Sequence, residues 1–194
     1  MNSIHISYLY AYLLKSGRPQ SLDYAQIITT GLVGDRDFAV IDDGGRMLTA
    51  REYPMLLEVE AKIMNDHMYF KCKGDFITVP RKTGSSKTRT GILFGQSVGG
   101  LELDDSIQKW FSKCMGVSCH VVEINAVYMR QMEGQSIDIT YTDAAPILLT
   151  SEASLRDLNN RMTLPVGMNR FRPNIVVKGG NPFEEDDWKS LKIG

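Results

Sequence analysis

Short apolar stretches separated by turn residues fill the first two-thirds of the chain, and they limit what it can build. Residues 4–14, 24–29, 37–42 and 46–51 are rich in side chains that suit a pleated surface. Asp42-Asp43-Gly44-Gly45 supplies the positive φ angles of a tight hairpin. Residues 58–64, 67–71 and 76–80 continue the series, with Asn65-Asp66 and Lys73-Gly74-Asp75 as turns. Short strands at this spacing predict a sandwich or a barrel. Residues 81–90, with Gly84-Ser85-Ser86 between basic residues, read as a solvated loop.

Two helices interrupt the strands. Asp105-x-x-Gln108 has the form of a capping box, and Ile107, Trp110, Phe111 and Cys114 follow at helical spacing, with Gly116 as the stop. A second helix is expected from about Ser151 to Met162, capped by Ser151, with Leu155, Leu158 and Met162 on one apolar stripe. Residues 117–124 and 174–178 read as further strands. The fold class is therefore mainly β with a few helices (α+β), and a domain boundary is placed at 120/121.

Charge and cysteine usage exclude several functions. Lys plus Arg number 22 and Asp plus Glu 23, a formal charge of −1, which argues against a generally basic nucleic-acid binder. The chain also lacks an aromatic-plus-basic stripe, so no nucleic-acid partner is expected. Three cysteines, an odd count without paired spacing, point to a reducing compartment. The first apolar run is interrupted by His5 and Ser7 and broken by Lys15, so it reads as neither signal peptide nor membrane span. A cytoplasmic protein with no membrane partner is the expectation.

No catalytic nucleophile or metal-ligand spacing is legible. His5, His67 and His120 are scattered, and Cys114 falls on an apolar helix stripe, where a structural thiol is expected. The chemistry instead gathers at element ends. Lys15-Ser16-Gly17 closes the first strand, and Gly31-Leu32-Val33-Gly34-Asp35-Arg36 is a glycine-bearing turn. Thr150-Ser151 opens a helix, whose N–H groups and dipole attract anions. Arg170-Phe171-Arg172-Pro173-Asn174 leads into a strand, and Pro173 predicts an extended backbone at Arg172. An arginine fork, a lysine charge and a helix N-terminus together suit a phosphate. Cations this far apart in sequence are equally well read as solvated surface residues, so spacing alone leaves their convergence open.

Taken in order, these segments resemble the MOSC family, which includes the amidoxime-reducing components and their bacterial relatives. Tyr12-Leu13-Leu14-Lys15-Ser16 resembles the family's Tyr-Pro-Ile-Lys-Ser opening, with Leu13 in place of proline. Gly31-Leu32-x-x-Asp35-Arg36-x-Phe38 and Leu48-Thr49-x-Arg51-Glu52-x-Pro54-x-Leu56 match the next two blocks. Asp143-x-x-Pro146 and Leu149-Thr150-Ser151-Glu152-Ala153-Ser154-Leu155, with Leu158-Asn159, match the start of the MOSC domain. Arg170-Phe171-Arg172-Pro173-Asn174 and Glu185-Asp186-x-Trp188 complete the series.

The resemblance implies a β-barrel-like MOSC N-terminal domain over residues 1–120 and part of a MOSC barrel domain over 121–194. It implies a molybdenum cofactor (Mo-molybdopterin) held by Lys15, Ser16, Arg36, Thr150, Ser151, Arg172 and Asn174. Lys15 and Arg36 would offset the phosphate charge, with Ser16 donating a hydrogen bond. Thr150 and Ser151 would bind at the helix start, and Arg172 and Asn174 would reach the pterin or phosphate. The family's molybdenum-ligating cysteine is expected beyond Gly194; Cys72, Cys114 and Cys119 do not match it. The intact protein is implied to be a molybdenum-dependent oxidoreductase. It would reduce small N-oxygenated compounds with electrons from a separate electron-transfer protein or domain. The 194-residue chain alone is expected to be inactive, and no pyridoxal-phosphate binding is expected. The alternative is a non-catalytic anion-binding, cofactor-binding or sulfur-carrier module.

Overall fold

A computed structural model describes residues 3–81 and 87–193. Strands dominate and two α-helices accompany them, α1 (Asp105–Met115) and α2 (Glu152–Asn160). The chain forms two compact units, each discontinuous in sequence. The larger comprises Ala11–Gln20 and Ile27–Pro146, and the smaller Met1–Tyr10, Ser21–Gln26 and Ile147–Gly194. No sheet closes on itself among the described residues.

The larger unit is built on an antiparallel sheet with the spatial order Phe38–Asp42, Cys119–Glu123, Gln96–Glu102, Thr88–Leu93. Strand periodicity sends alternate side chains to opposite faces. Phe38, Val40, Cys119 and Val121 enter one core cluster with Ile107, Trp110 and Phe111 of α1. Ala39, Ile41 and Val122 enter another with Met47, Val98 and Tyr141. Cover on both faces explains why Phe38–Ile41 is an unbroken apolar run rather than an alternating one. A second sheet, Glu60–Met64, His67–Cys72 and Asp75–Pro80, contributes Ala61, Met68 and Phe70 to the first cluster.

Several expectations shift here. The capping residue of α1 is Asp104, whose carboxylate accepts from Ser106 N at 3.0 Å. Gln108 does not reach back to the cap. It is buried, donates to Leu103 O and Val121 O and accepts from Val121 N, satisfying the edge of the neighbouring strand. Residues 46–51 form only isolated bridges, because Leu48 N turns to Val40 O and the chain then folds back at Thr49. Within the expected loop 81–90, Thr88–Leu93 is a strand, while Gly84-Ser85-Ser86 lies outside the described residues.

Gln96–Glu102 was not predicted, since Gly99-Gly100 weakens any strand reading. Those glycines are required by close approach. A Cβ on Gly100 would stand 2.3 Å from Glu123 O and 2.5 Å from the Tyr141 hydroxyl oxygen.

The smaller unit carries a sheet ordered Leu149–Ser151, Ile175–Lys178, His5–Ala11, Gln20–Leu22. The first two strands pair in parallel through α2, as a parallel pair requires a crossover. Ser151 caps α2, its Oγ accepting from Ala153 N at 3.0 Å and Ser154 N at 3.2 Å. The helix stops at Asn160, short of Met162, because Asn159 turns its amide onto both backbone groups of Val166. Ser151→Ala is expected to cost about 1 kcal/mol of stability, read by chemical denaturation; an unshifted midpoint would show the cap to be dispensable.

Candidate functional site

The site in the larger unit begins with Tyr12-Leu13-Leu14-Lys15. Phe38 N donates to Leu13 O at 3.0 Å and Lys15 N to Phe38 O at 2.7 Å, so the segment runs alongside Phe38. Ser16 then adopts φ +64 and Gly17 N returns to Leu14 O, which turns the chain sharply after the lysine. From the facing segment, Arg36 N donates to Tyr12 O at 2.7 Å. Asp35 is buried and accepts from Tyr12 N at 2.8 Å through Oδ1 and from the Arg36 guanidinium through Oδ2. That guanidinium also lies over the Tyr12 ring, 4.3 Å from its centroid.

Lys15 is 6% exposed. Its Nζ donates to Tyr141 O at 2.7 Å and to the Asp143 carboxylate. Burial lowers its pKa, with Arg36 and Arg130 adding to the effect and Asp143 opposing it. Partial loss of water alone would raise the largely exposed Asp143, but Lys15, Arg36 and Arg51 outweigh it and hold its carboxyl below the usual range. Arg130, also buried, donates through Nη2 to Thr142 O and through Nη1 to Gln96 Oε1 at 3.2 Å. Its Nε and the Thr142 Oγ1 are buried without a hydrogen-bond partner among the described residues.

Of the seven residues assigned from sequence, Lys15 and Arg36 therefore meet within the larger unit, and Ser16 follows Lys15 at the turn. Ser16 Oγ accepts from Ala50 N at 3.1 Å, and a hydroxyl that accepts can still donate. Thr150, Ser151, Arg172 and Asn174 lie in the smaller unit. Thr150 Oγ1 donates to Met168 Sδ at 3.2 Å, and Ser151 is occupied by its cap. Asn174 is buried; its Oδ1 accepts from Leu148 N and its Nδ2 donates to Tyr10 O. Arg172 is not extended as predicted. Its φ is +56, because its N–H closes a turn onto Asn169 O before the chain enters Ile175–Lys178.

Arg130, Tyr141 and Thr142 were missed by sequence reasoning, and Asp143 was noted only as part of a motif. Arg130 gives no local signal, since it sits in a polar stretch beside Gln131 and Glu133. Backbone geometry does carry a signal. Asn65, Lys73 and Phe94 have positive φ in hairpin turns, where that is expected. Ser16, Arg36, Arg172 and Phe183 have it outside any hairpin, and the first three are among the assigned residues. Strain of this kind concentrates at ligand-holding positions.

Among the described residues, no group of three or more His, Cys, Asp or Glu side chains is placed to hold a metal ion. Burial, with Cys72 alongside, pushes the Cys114 thiol up to about 12, and burial pushes Cys119 up to about 11. The donor set thus suits an anion's oxygens, while these thiols are held protonated and do not suit a metal. Among the described residues, no helix is long and apolar enough to cross a membrane.

Comparison with known proteins identifies the family. The MOSC N-terminal beta barrel domain matches residues 3–118, and the MOSC domain matches residues 136–194. The chain belongs to the MOSC family. Similar relatives include mitochondrial amidoxime reducing component 2 of Bos taurus, 34% identical over 97% of this chain and 60% of that protein. Its Rattus norvegicus counterpart is also 34% identical, over 97% of this chain and 61% of that protein. A molybdenum cofactor sulfurase of Oryza sativa is 29% identical over the whole chain but only 26% of its own length. The chain thus spans about 60% of the amidoxime reducing components it matches. A solution structure of a Bordetella bronchiseptica protein aligns with 55% of this chain and 92% of its own, at 18% identity and a TM-score of 0.42.

Proposed function

We propose that this MOSC chain holds a molybdenum cofactor, and that the intact protein is an oxidoreductase reducing N-hydroxylated compounds. One observation carries the reading. Lys15, Arg36 and Arg130 bring three nearly buried cations together against the Asp35 and Asp143 carboxylates, and the exposed Arg51 adds its pull on Asp143, so cations outnumber acids in the cluster. Gathering like charges out of water is costly unless an anion completes the set. The names of the relatives, amidoxime reducing component and molybdenum cofactor sulfurase, suggest a phosphorylated pterin as that anion.

In this reading Lys15 and Arg36 offset the phosphate charge, and Ser16 donates its hydroxyl proton. Thr150, Ser151, Arg172 and Asn174 are proposed as contacts to the pterin or phosphate on the strength of the family pattern. When bound, the cofactor supplies the redox chemistry. The chain's own residues fix it and neutralise its charge. Electrons come from a separate electron-transfer protein or domain, the substrate is a small N-oxygenated molecule, and the setting is a reducing one such as the cytoplasm.

The protonated state of Cys114 and Cys119 favours a second reading for these 194 residues alone, cofactor holding without turnover. Metal analysis separates the two. The first reading expects stoichiometric molybdenum only in protein extended past Gly194 to a cysteine, and equal metal in the 194-residue chain would overturn the need for that ligand. Lys15→Ala and Arg172→Ala should each cost about 1.5–3 kcal/mol of cofactor affinity, the size of one charge-assisted bond. Pterin retained after purification, read by fluorescence, is the measurement. Undiminished pterin in Arg172→Ala would remove that residue from the set.

A further inference from the structure

The two members of the Lys15–Asp143 ion pair are unequal. The Lys15 side chain is 8% exposed and that of Asp143 is 64% exposed. A buried ammonium needs an anion beside it, because its water is gone. An exposed carboxylate needs no partner, because rotating into solvent restores its hydration at little cost. The pair therefore holds the lysine's requirement constant while leaving the identity of the anion open.

Other groups sharpen this asymmetry. Arg36 and Arg51 act on the same carboxylate, so Asp143 presents its charge where three cations concentrate theirs. The backbone beneath it is fixed independently of its side chain. Arg130 Nη2 donates to Thr142 O and, at 3.4 Å, to Asp143 O. Tyr141 N donates to Arg36 O, and Thr140 Oγ1 to Asp35 O. The carboxylate can thus swing away without unravelling the segment that carries it. Lys15 Nζ keeps its bond to Tyr141 O meanwhile, so the ammonium stays in place to receive another anion.

We propose that Asp143 is a built-in competitor for the site's anion: its carboxylate occupies Lys15 in the empty protein and yields that position to an incoming phosphate group. Arg130 is the positioning residue, holding the Thr142–Asp143 backbone so that only the side chain moves. The inference rests on the anion reading above and deepens it. It makes the affinity for phosphate a difference between two anions, one internal and one external. A weakly held or partly protonated anion fails to displace the carboxylate, so the device also selects for full charge.

The test uses the full 194-residue chain and inorganic phosphate as the probe, with binding read by calorimetry and by the rise of the thermal midpoint with phosphate. Asp143→Asn is expected to bind phosphate about tenfold more tightly than the unaltered chain, the order of effect of removing one neighbouring like charge. It should also be less stable in phosphate-free buffer and gain more from added phosphate. Asp143→Ser, shorter and unable to pair with Lys15, should do the same. If the variants prove marginal without phosphate, the midpoint series still reads the difference. Phosphate bound by the unaltered chain, but equally or less tightly by both variants, would overturn the competitor role and leave the site reading intact. No phosphate binding by the chain or either variant would overturn the anion site itself, and the competitor with it.

Discussion

Asp35→Ala should cost about 3–5 kcal/mol of unfolding free energy, the range for breaking a buried ion pair by removing one partner. This carboxylate is 2% exposed and serves two segments at once. Oδ1 takes the Tyr12 N–H and Oδ2 takes the Arg36 guanidinium, which is itself shielded over the Tyr12 ring. Alanine removes both acceptors while leaving the arginine charge in a place with little water. The Tyr12–Lys15 segment then loses one of the bonds that hold it beside Phe38 and Arg36, so phosphate affinity should fall together with stability. Asp35→Asn separates the contributions, since its amide oxygen still accepts from Tyr12 N but brings no charge to Arg36. Chemical denaturation of both variants is the measurement. A loss below about 1 kcal/mol for the alanine variant, within the range of an ordinary surface change, would show that Asp35 does not organise the site.

The sequence carried the elements whose local chemistry and burial agree. Phe38–Asp42, His67–Cys72 and α1 were readable because apolar content, turn residues and spacing all pointed one way. Gln96–Glu102 was unreadable for the opposite reason. Its glycines argue locally against a strand, yet the Glu123 carbonyl and the Tyr141 hydroxyl leave no room for a side chain there. Arg172 shows the same conflict, a residue before proline turned to positive φ by a bond to Asn169.

For the site, residue types suggested anion chemistry, but juxtaposition depended on contacts across more than a hundred residues, such as Lys15 with Tyr141. Arg130 was invisible because its importance lies in backbone carbonyls, which no residue type advertises. The matched motif residues also divide by role. Ser154 donates to Glu185 at 2.6 Å and accepts from Phe183 N, so the Glu-Asp-x-Trp block anchors a loop to α2. A family pattern read without coordinates cannot tell such structural anchors from ligand contacts.

The pH response of stability gives a second large effect, at Asp37. Burial, then the charges of Glu123 and Asp35, push its carboxyl up from 3.8 to about 6, against the opposing pull of Arg81. A raised carboxylate pKa means that the folded state binds its proton more tightly than the unfolded chain does. As pH rises from about 4 to about 6 the unfolded chain gives up that proton first, so folding becomes progressively less favourable. Above this window the full penalty applies, up to about 3 kcal/mol for a shift of roughly two units. Asp37→Asn removes the charge and keeps the shape, so it should be more stable than the unaltered chain at pH 7.5. The gain should shrink through pH 6 and vanish near pH 4, where the aspartic acid is neutral in both states. Asp143, held low by its cations, has the opposite sign and loses its contribution as pH falls. Subtracting the two denaturation profiles cancels that term and isolates Asp37. Parallel profiles from pH 4 to 7.5 would show that Asp37 ionises normally, and that the interior beside Arg36 tolerates a negative charge without penalty.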